Sequence, residues 1–474
     1  MNNIKEIIKK YINVENVLCL FIVLCPLLDI ISFLYRNNYN TNISPSTIIR
    51  PVIPIIVIIY LFFKNDKKFK IQIFSVGLIY GIYGIIHLYI FSKIKNGSSY
   101  SNVVHEAQYI VNYSFMILNL FMYTYIFKNS SEKLSKSVLY ATCIYIISIF
   151  ISIITKTSSY TYWEEQIGYK GWFESGNSIG AILILSMFIY IKYLKNIKYR
   201  KIAIPTIILV GIFLTTLIGT RVGLFGFILV IGLYSITELG YEIIKNKKIN
   251  KKITMFGSIA VIAVIGFVVI FGSKTIERRK QLAIAADAVI DETSNETACI
   301  TGDLLEIKKN IDNNALEEGY MSNEQKKSII ELYNIAKELN IKNNQRRTQE
   351  LIYNIVLVKN QKNINLILFG NGYVSHFREL ILEMEIPAFL CNFGIIGFIL
   401  YFIPFLYISI YGIYIGIKNI KRIDTEYIMI LLGCGVTFCL SFFSGYTFFN
   451  SSSMMMVIVM NAILINKTKK LKEI

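Results

Sequence analysis

The sequence predicts an all-α polytopic membrane protein of about 12 transmembrane helices carrying one long polar loop. Three observations predict it. Of 474 residues, 54% are hydrophobic and only 17% are charged, with mean hydropathy +0.51; a soluble chain carries about 25% charge. Crossing a bilayer takes about 20 apolar residues. Runs of that kind recur at 17–35, 46–63, 71–91, 106–127, 137–155, 175–194, 201–219, 221–240, 253–272, 388–417, 427–446 and 449–466. They are continuous rather than alternating, which excludes a β-barrel. The third observation is charge segregation. With the N-terminus cytoplasmic, the inner connections hold 27 Lys/Arg and the short outer ones hold 5. That bias orients the chain with both termini in the cytoplasm and the long loop outside. The net charge of +18 is then a signature of topology; no nucleic acid is expected. The chain divides into 1–272 (spans 1–9), 273–387 (extracytoplasmic loop domain) and 388–474 (spans 10–12 and a cytoplasmic tail).

Taken in order, the first span carries Asp29 and the second Arg50, both toward the outer side. A charge inside a span costs at least about 2.5–3.5 kcal/mol, so it is paired or functional. Asp29 and Arg50 form either a structural pair or an anion site built on Arg50. His105, in the outer loop before the fourth span, reads as a capping or interfacial residue rather than a catalyst. Tyr160, Tyr162, Trp163 and Tyr169, followed by Trp172, suggest a segment lying in the outer interface. Glu174-Ser175-Gly176-Asn177-Ser178-Ile179-Gly180 opens the sixth span with small residues that permit close packing. Gly219-Thr220-Arg221 joins the seventh and eighth spans too tightly for a loop, which leaves Arg221 at the outer rim. There it either snorkels to head groups or binds a pyrophosphate at a helix start.

The long loop reads as amphipathic helices over 303–318 and 322–340 and a third over 351–358. Asn323 is the expected N-cap of the second, with Lys326 in third position and hence no capping box. The loop ends on Gly370-Asn371-Gly372-Tyr373, then His376, Arg378, Glu383 and Glu385. Of seven cysteines, Cys299 alone lies in the loop, so no disulfide framework forms there. No Cys/His spacing resembles a metal site, and no P-loop or dinucleotide fingerprint occurs. The outward-facing chemistry is therefore arginine and carboxylate. Arg221, Arg346/Arg347 and Arg378 suit an anionic group. Glu383 and Glu385 either supply a general base, with pKa raised by desolvation, or complement a helix dipole.

The order of these parts resembles the O-antigen ligase/polymerase (Wzy-like) family, over about residues 17–465. Gly171-Trp172-Phe173-Glu174-Ser175-Gly176-Asn177 is similar to its GWF-x-S-x-N stretch, and Gly219-Thr220-Arg221 to its G-[ST]-R motif. Phe369-Gly370-Asn371-Gly372-Tyr373 resembles its G-x-G-Y turn, and Glu383-Met384-Glu385 the E-M-D of Gram-positive-type members. Asn392-Phe393-Gly394-Ile395-Ile396-Gly397-Phe398 resembles its G-I-I-G-F span start. Two departures stand out. Ligases of the family use a His near the end of the long loop, where this chain has Glu383-Met384-Glu385, with His376 seven residues earlier. Tyr446 stands where many relatives have His.

The resemblance implies a GT-C-like, metal-independent, inverting glycosyltransferase of the bacterial cytoplasmic membrane, without a cofactor. It would polymerise or ligate repeat units of a surface polysaccharide, such as capsule or cell-wall glycan. Its partners would be a lipid-linked (undecaprenyl pyrophosphate-type) oligosaccharide donor, a glycan acceptor and other polysaccharide-assembly proteins. Arg221, Arg347, Arg346, Arg50 and Arg378 are the candidate pyrophosphate-binding residues; Glu383, Glu385 and His376 are the candidate bases. The competing readings are a lipid-linked oligosaccharide flippase and a non-catalytic polysaccharide-binding membrane protein.

Overall fold

A backbone in lipid has no water to bond with, so long apolar runs must close their own hydrogen bonds as helices. The computed structural model describes residues 13–39, 44–64, 67–94, 103–163, 165–246, 273–281, 302–316, 319–341, 345–373 and 382–473. The membrane part opens with α1 (Val14–Tyr39), α2 (Pro45–Lys64), α3 (Lys67–Ser92), α4 (Val103–Ile126) and α5 (Ser131–Ile154). A hairpin follows, β1 (Ser159–Tyr162) and β2 (Ile167–Gly171), then α6 (Gly176–Tyr190), α7 (Ile197–Ile212) and α8 (Arg221–Asn246). The polar loop contributes α9 (Gly302–Asp312), α10 (Asn323–Glu338), α11 (Arg346–Gln361) and the short α12 (Ile364–Phe369). The chain closes with α13 (Glu385–Tyr401), α14 (Ile403–Lys418), α15 (Thr425–Phe443) and α16 (Ser451–Glu473).

Among the described residues, nine helices are long and apolar enough to cross a membrane. The expected spans at 106–127 and 449–466 are helical as α4 and α16, and the one at 253–272 lies outside the described residues. At the centre of the bundle is α6, whose residues from Ser178 to Tyr190 are all buried. Against it packs α16, buried without interruption from Ser452 to Leu464. A helix enclosed all round belongs in a core, and its sequence need not present an apolar face to lipid.

Two expectations change, at 388–417 and at the cap of α10, and the aromatic stretch gains a form the sequence left open. The run 388–417 is broken twice, at Gly394, which takes φ 67°, ψ −176° inside α13, and at Phe402, between α13 and α14. The aromatic stretch after α5 is an antiparallel hairpin pairing Tyr160 with Tyr169 and Tyr162 with Ile167. Alternating Tyr and Thr favour a strand, and Gln166 supplies the positive φ of the turn. The cap of α10 is Ser322, one residue before Asn323, and it closes a full capping box with Gln325.

The loop helices have their own core. Leu304, Ile329, Leu332, Tyr353 and Leu357 pack together, and Phe91 from the end of α3 enters the same cluster. The loop returns to the bundle through a backbone clamp at the broken helix. Asn371 N donates to Cys391 O and Gly372 N to Asn392 O, both at 2.9 Å. A Cβ on Gly370 would lie 2.1 Å from Asn392 O, and one on Gly394 2.4 Å from the Leu368 carbonyl carbon. Only glycine fits either side of this contact. The buried Glu106 carboxylate accepts from Tyr373 N at 3.0 Å and sits 2.7 Å from His87 Nε2, and His87 Nδ1 lies 2.6 Å from Phe369 O.

Candidate functional site

Arg221 is placed by the turn before it. A π-helical turn, Phe213–Leu217, ends α7; Gly219 then reverses the chain at φ +79°. Thr220 caps α8, its hydroxyl accepting from Gly223 N at 3.1 Å. Arg221 is the first residue of α8, where free amides and the helix dipole favour an anion. It is exposed and makes no hydrogen bond or ion pair among the described residues. The β-hairpin lies on this turn. A Cβ on Gly168 would meet Ile218 O at 2.3 Å, and Gly219 faces the Gly168 backbone.

The start of the polar loop docks at the same place. Ser273 Oγ donates to Thr215 O at 2.8 Å and Thr275 Oγ1 to Thr220 O at 3.3 Å. This carries Arg278 onto the hairpin, its guanidinium 3.3 Å above the Tyr162 ring and 3.6 Å from Glu165. Burial pushes the Tyr162 hydroxyl up, while the nearby charges of Arg278 and Arg221 oppose that and Glu165 and Glu383 add to it. Tyr162 thus lies within electrostatic range of Arg221, Arg278 and Glu383.

From the other side comes α11. Arg347 Nη2 donates to Glu383 Oε2 at 3.1 Å and to Ser444 O at 3.3 Å, and its Nη1 bonds Phe443 O. One guanidinium therefore joins α11, Glu383 two residues before α13, and the end of α15. Glu383 Oε1 carries no hydrogen bond among the described residues. Behind this pair lies Glu350, wholly buried. Its carboxylate accepts from Glu383 N at 3.2 Å and from Arg346 Nε at 3.0 Å. Burial pushes the Glu350 carboxyl up to about 7; Glu383's charge adds to this and Arg346 opposes it.

Glu385 is buried and committed to backbone. Its carboxylate accepts from Thr447 N at 2.7 Å, Phe448 N at 2.9 Å and Phe449 N at 2.7 Å. It pins the turn between α15 and α16, where Tyr446 sits at φ 59°. Arg50 belongs to a separate cluster. It pairs with Asp29 and donates to Ser452 Oγ at 2.8 Å, while Tyr145 donates to Asp29 at 2.6 Å. His376 and Arg378 lie outside the described residues. His105, in the first turn of α4, is exposed, next to the buried Glu106.

The structure therefore joins Arg347 to Glu383, with Arg346 in support, sets Arg221 on the turn against which the hairpin lies, and adds three residues sequence reasoning did not assign: Tyr162, Arg278 and Glu350. Arg346 and Glu350 stand four apart, a spacing visible in the sequence. Nothing local signals that α11 turns Glu350 inward or that the hairpin stacks Tyr162 under Arg278. Such a site can hold a multiply charged anion beside a carboxylate with one free oxygen. Residues 11–470 match the family model described as O-antigen ligase like membrane protein. No curated protein and no solved structure matches the chain.

Proposed function

Because the chain belongs to the family of O-antigen ligase like membrane proteins, we propose that it polymerises or ligates oligosaccharide repeat units carried on an undecaprenyl-type pyrophosphate. The reaction is an inverting glycosyl transfer at the outer face of the cytoplasmic membrane. The observation that supports this most is Arg221 at the start of α8, exposed and without a hydrogen bond or ion pair among the described residues, on the turn against which the hairpin lies with Arg278 over its Tyr162 ring. The donor pyrophosphate rests on Arg221 and Arg278. An acceptor hydroxyl attacks the anomeric carbon as its bond to the pyrophosphate oxygen breaks, and the leaving group departs with the electron pair. Arginines held ready for that developing charge lower the barrier without reorganising. Glu383 Oε1 takes the proton of the attacking hydroxyl, while Arg347 fixes the other oxygen. Glu385 is a positioning residue, since its oxygens already serve three amides. Glu350 positions Glu383 through its backbone.

Surface polysaccharide from cells carrying wild type, Arg221→Ala, Glu383→Gln or Glu385→Gln at matched protein level tests this on a gel. Collapse of the ladder to single repeat units in the first two supports polymerisation at this site. Accumulation of polymer-length chains on the lipid carrier supports ligation there. An unchanged ladder in both Arg221→Ala and Glu383→Gln overturns the assignment and returns the flippase reading.

A further inference from the structure

At the far end of the molecule from Arg221, α14 and α16 part to leave a cleft of about 410 Å³. It is lined by Tyr411, Tyr414, Lys418, Asn419, Arg422 and Lys472. Lys472 stands at the opposite end of the 23-residue α16 from Ser451, on the order of 30 Å along the helix axis. Three cations thus face one opening. Among the described residues, Lys418, Arg422 and Lys472 make no ion pair. The carboxylates close by in sequence are engaged elsewhere: Asp424 with Lys467, and Glu426 with Lys467 and Lys192. Glu473 follows Lys472 but does not line the cleft.

The wall above the cations belongs in lipid. Tyr407, Ile410, Ile413, Tyr414 and Ile417 are all exposed on α14, an outward surface that only hydrocarbon covers in a membrane-spanning helix. Tyr411 lies between Tyr407 and Tyr414, ring against ring. Tyr414 and Tyr411, one and two turns from Lys418 on the same helix, stand where aromatic rings meet head groups. The cleft therefore opens sideways at the membrane boundary, with acyl-chain surface on one side and uncompensated positive charge on the other.

We propose that this cleft binds the phosphodiester head group of an anionic glycerophospholipid. Arg422 offers a fork for the phosphate oxygens, and Lys418 and Lys472 close on it as point charges. The tyrosines flank the glycerol region, and the acyl chains run along α14. An anionic lipid seated there ties α14 to α16 at the basic end of the bundle. Basic pockets between membrane helices recognise lipids by this charge pattern.

The full-length protein, purified in neutral detergent, would be titrated with phosphatidylglycerol or phosphatidylcholine and read by native mass spectrometry. One phosphatidylglycerol is expected to stay bound where phosphatidylcholine does not. The cleft variant Lys418→Gln/Arg422→Gln/Lys472→Gln should bind it roughly a hundredfold more weakly, from about fivefold per basic side chain. A second variant, Lys421→Gln/Lys469→Gln/Lys470→Gln, removes the same charge from the same end without touching the cleft and should bind as wild type. Equal loss in both variants would attribute retention to the general field of the basic end and overturn the site. Displacement by glycerol phosphate at concentrations matching the lipid would make it a soluble-phosphate site, which also overturns the proposal. Should the triple variant not elute as a folded species, Arg422→Gln alone carries the test, with about a fivefold loss expected.

Discussion

At Glu350 the carboxyl group is enclosed on all sides, yet two hydrogen bonds reach it, from Arg346 and from the amide of Glu383. Its pKa of about 7 lies well above that of a carboxyl in water. The folded protein then holds a proton that the unfolded chain releases between about pH 4.5 and about pH 7. Stability from this group is full at the acid end of that window and is lost as pH rises through it. Glu350→Gln keeps the shape and an acceptor but cannot titrate. Thermal unfolding in detergent should show wild type losing up to about 3 kcal/mol relative to Glu350→Gln between about pH 5 and about pH 8. A difference that stays flat with pH would mean that Glu350 does not ionise in that range. On the proposed transfer, Arg221 acts on rate instead. Arg221→Ala should lower the rate of transfer from a lipid-linked donor by about 10²–10³, the usual cost of removing one donor to developing charge. Arg221→Lys should fall between, because it keeps the charge but not the fork.

Hairpin β1–β2 and the turn into α8 form one unit, and its glycines say so. Gly168 sits at φ +71°, and a Cβ there would collide with Ile218 O. Gly168→Ala should therefore lift the hairpin off Gly219 and take Tyr162 and Arg278 away from Arg221. We expect at least a tenfold loss of polysaccharide product with Arg221 and Glu383 intact. Gly77→Ala, at a helical site with nothing within 4 Å of the added Cβ, should leave product unchanged. Both are read on the same gel at matched protein level. Element by element, the sequence exposed what has a period or a composition. Runs of apolar residues marked the helices, charges inside two spans offered an Asp29–Arg50 pair as one of two readings, and the small residues opening α6 signalled close packing. It hid what depends on contact at a distance. Residues 388–417 are apolar throughout, and the break at Gly394 exists only because the Gly370 turn comes from the loop to lie against it. Glu383 and Glu385 look alike in sequence. They part only because the turn after α15 presents three amides to one of them.

Two cores set the behaviour of the whole molecule. The bundle core runs through α6 and α16, and its polar members show why hydropathy understates it. Ser452, Ser453, Asn461 and Asn466 are buried among protein rather than exposed to lipid, so the least apolar span lies near the middle. The second core belongs to the loop helices, joined to the bundle by Phe91, the Gly370–Tyr373 clamp and Arg347. Leu332, fully buried in that second core, separates the two. Leu332→Ala should cost the loop helices about 2–5 kcal/mol, the usual penalty for emptying a buried leucine site, and should leave the bundle folded because the bundle enters that core through Phe91 at the end of α3. Limited proteolysis of the purified variant should then cut within residues 302–361 while fragments containing α1–α8 and α13–α16 stay intact. Product should fall with it, since Arg347 and Glu350 ride on α11. Cleavage spread through the bundle helices would mean that the loop domain and the spans fold as one cooperative unit. Retained product alongside a cleaved loop would remove α11 from the reaction.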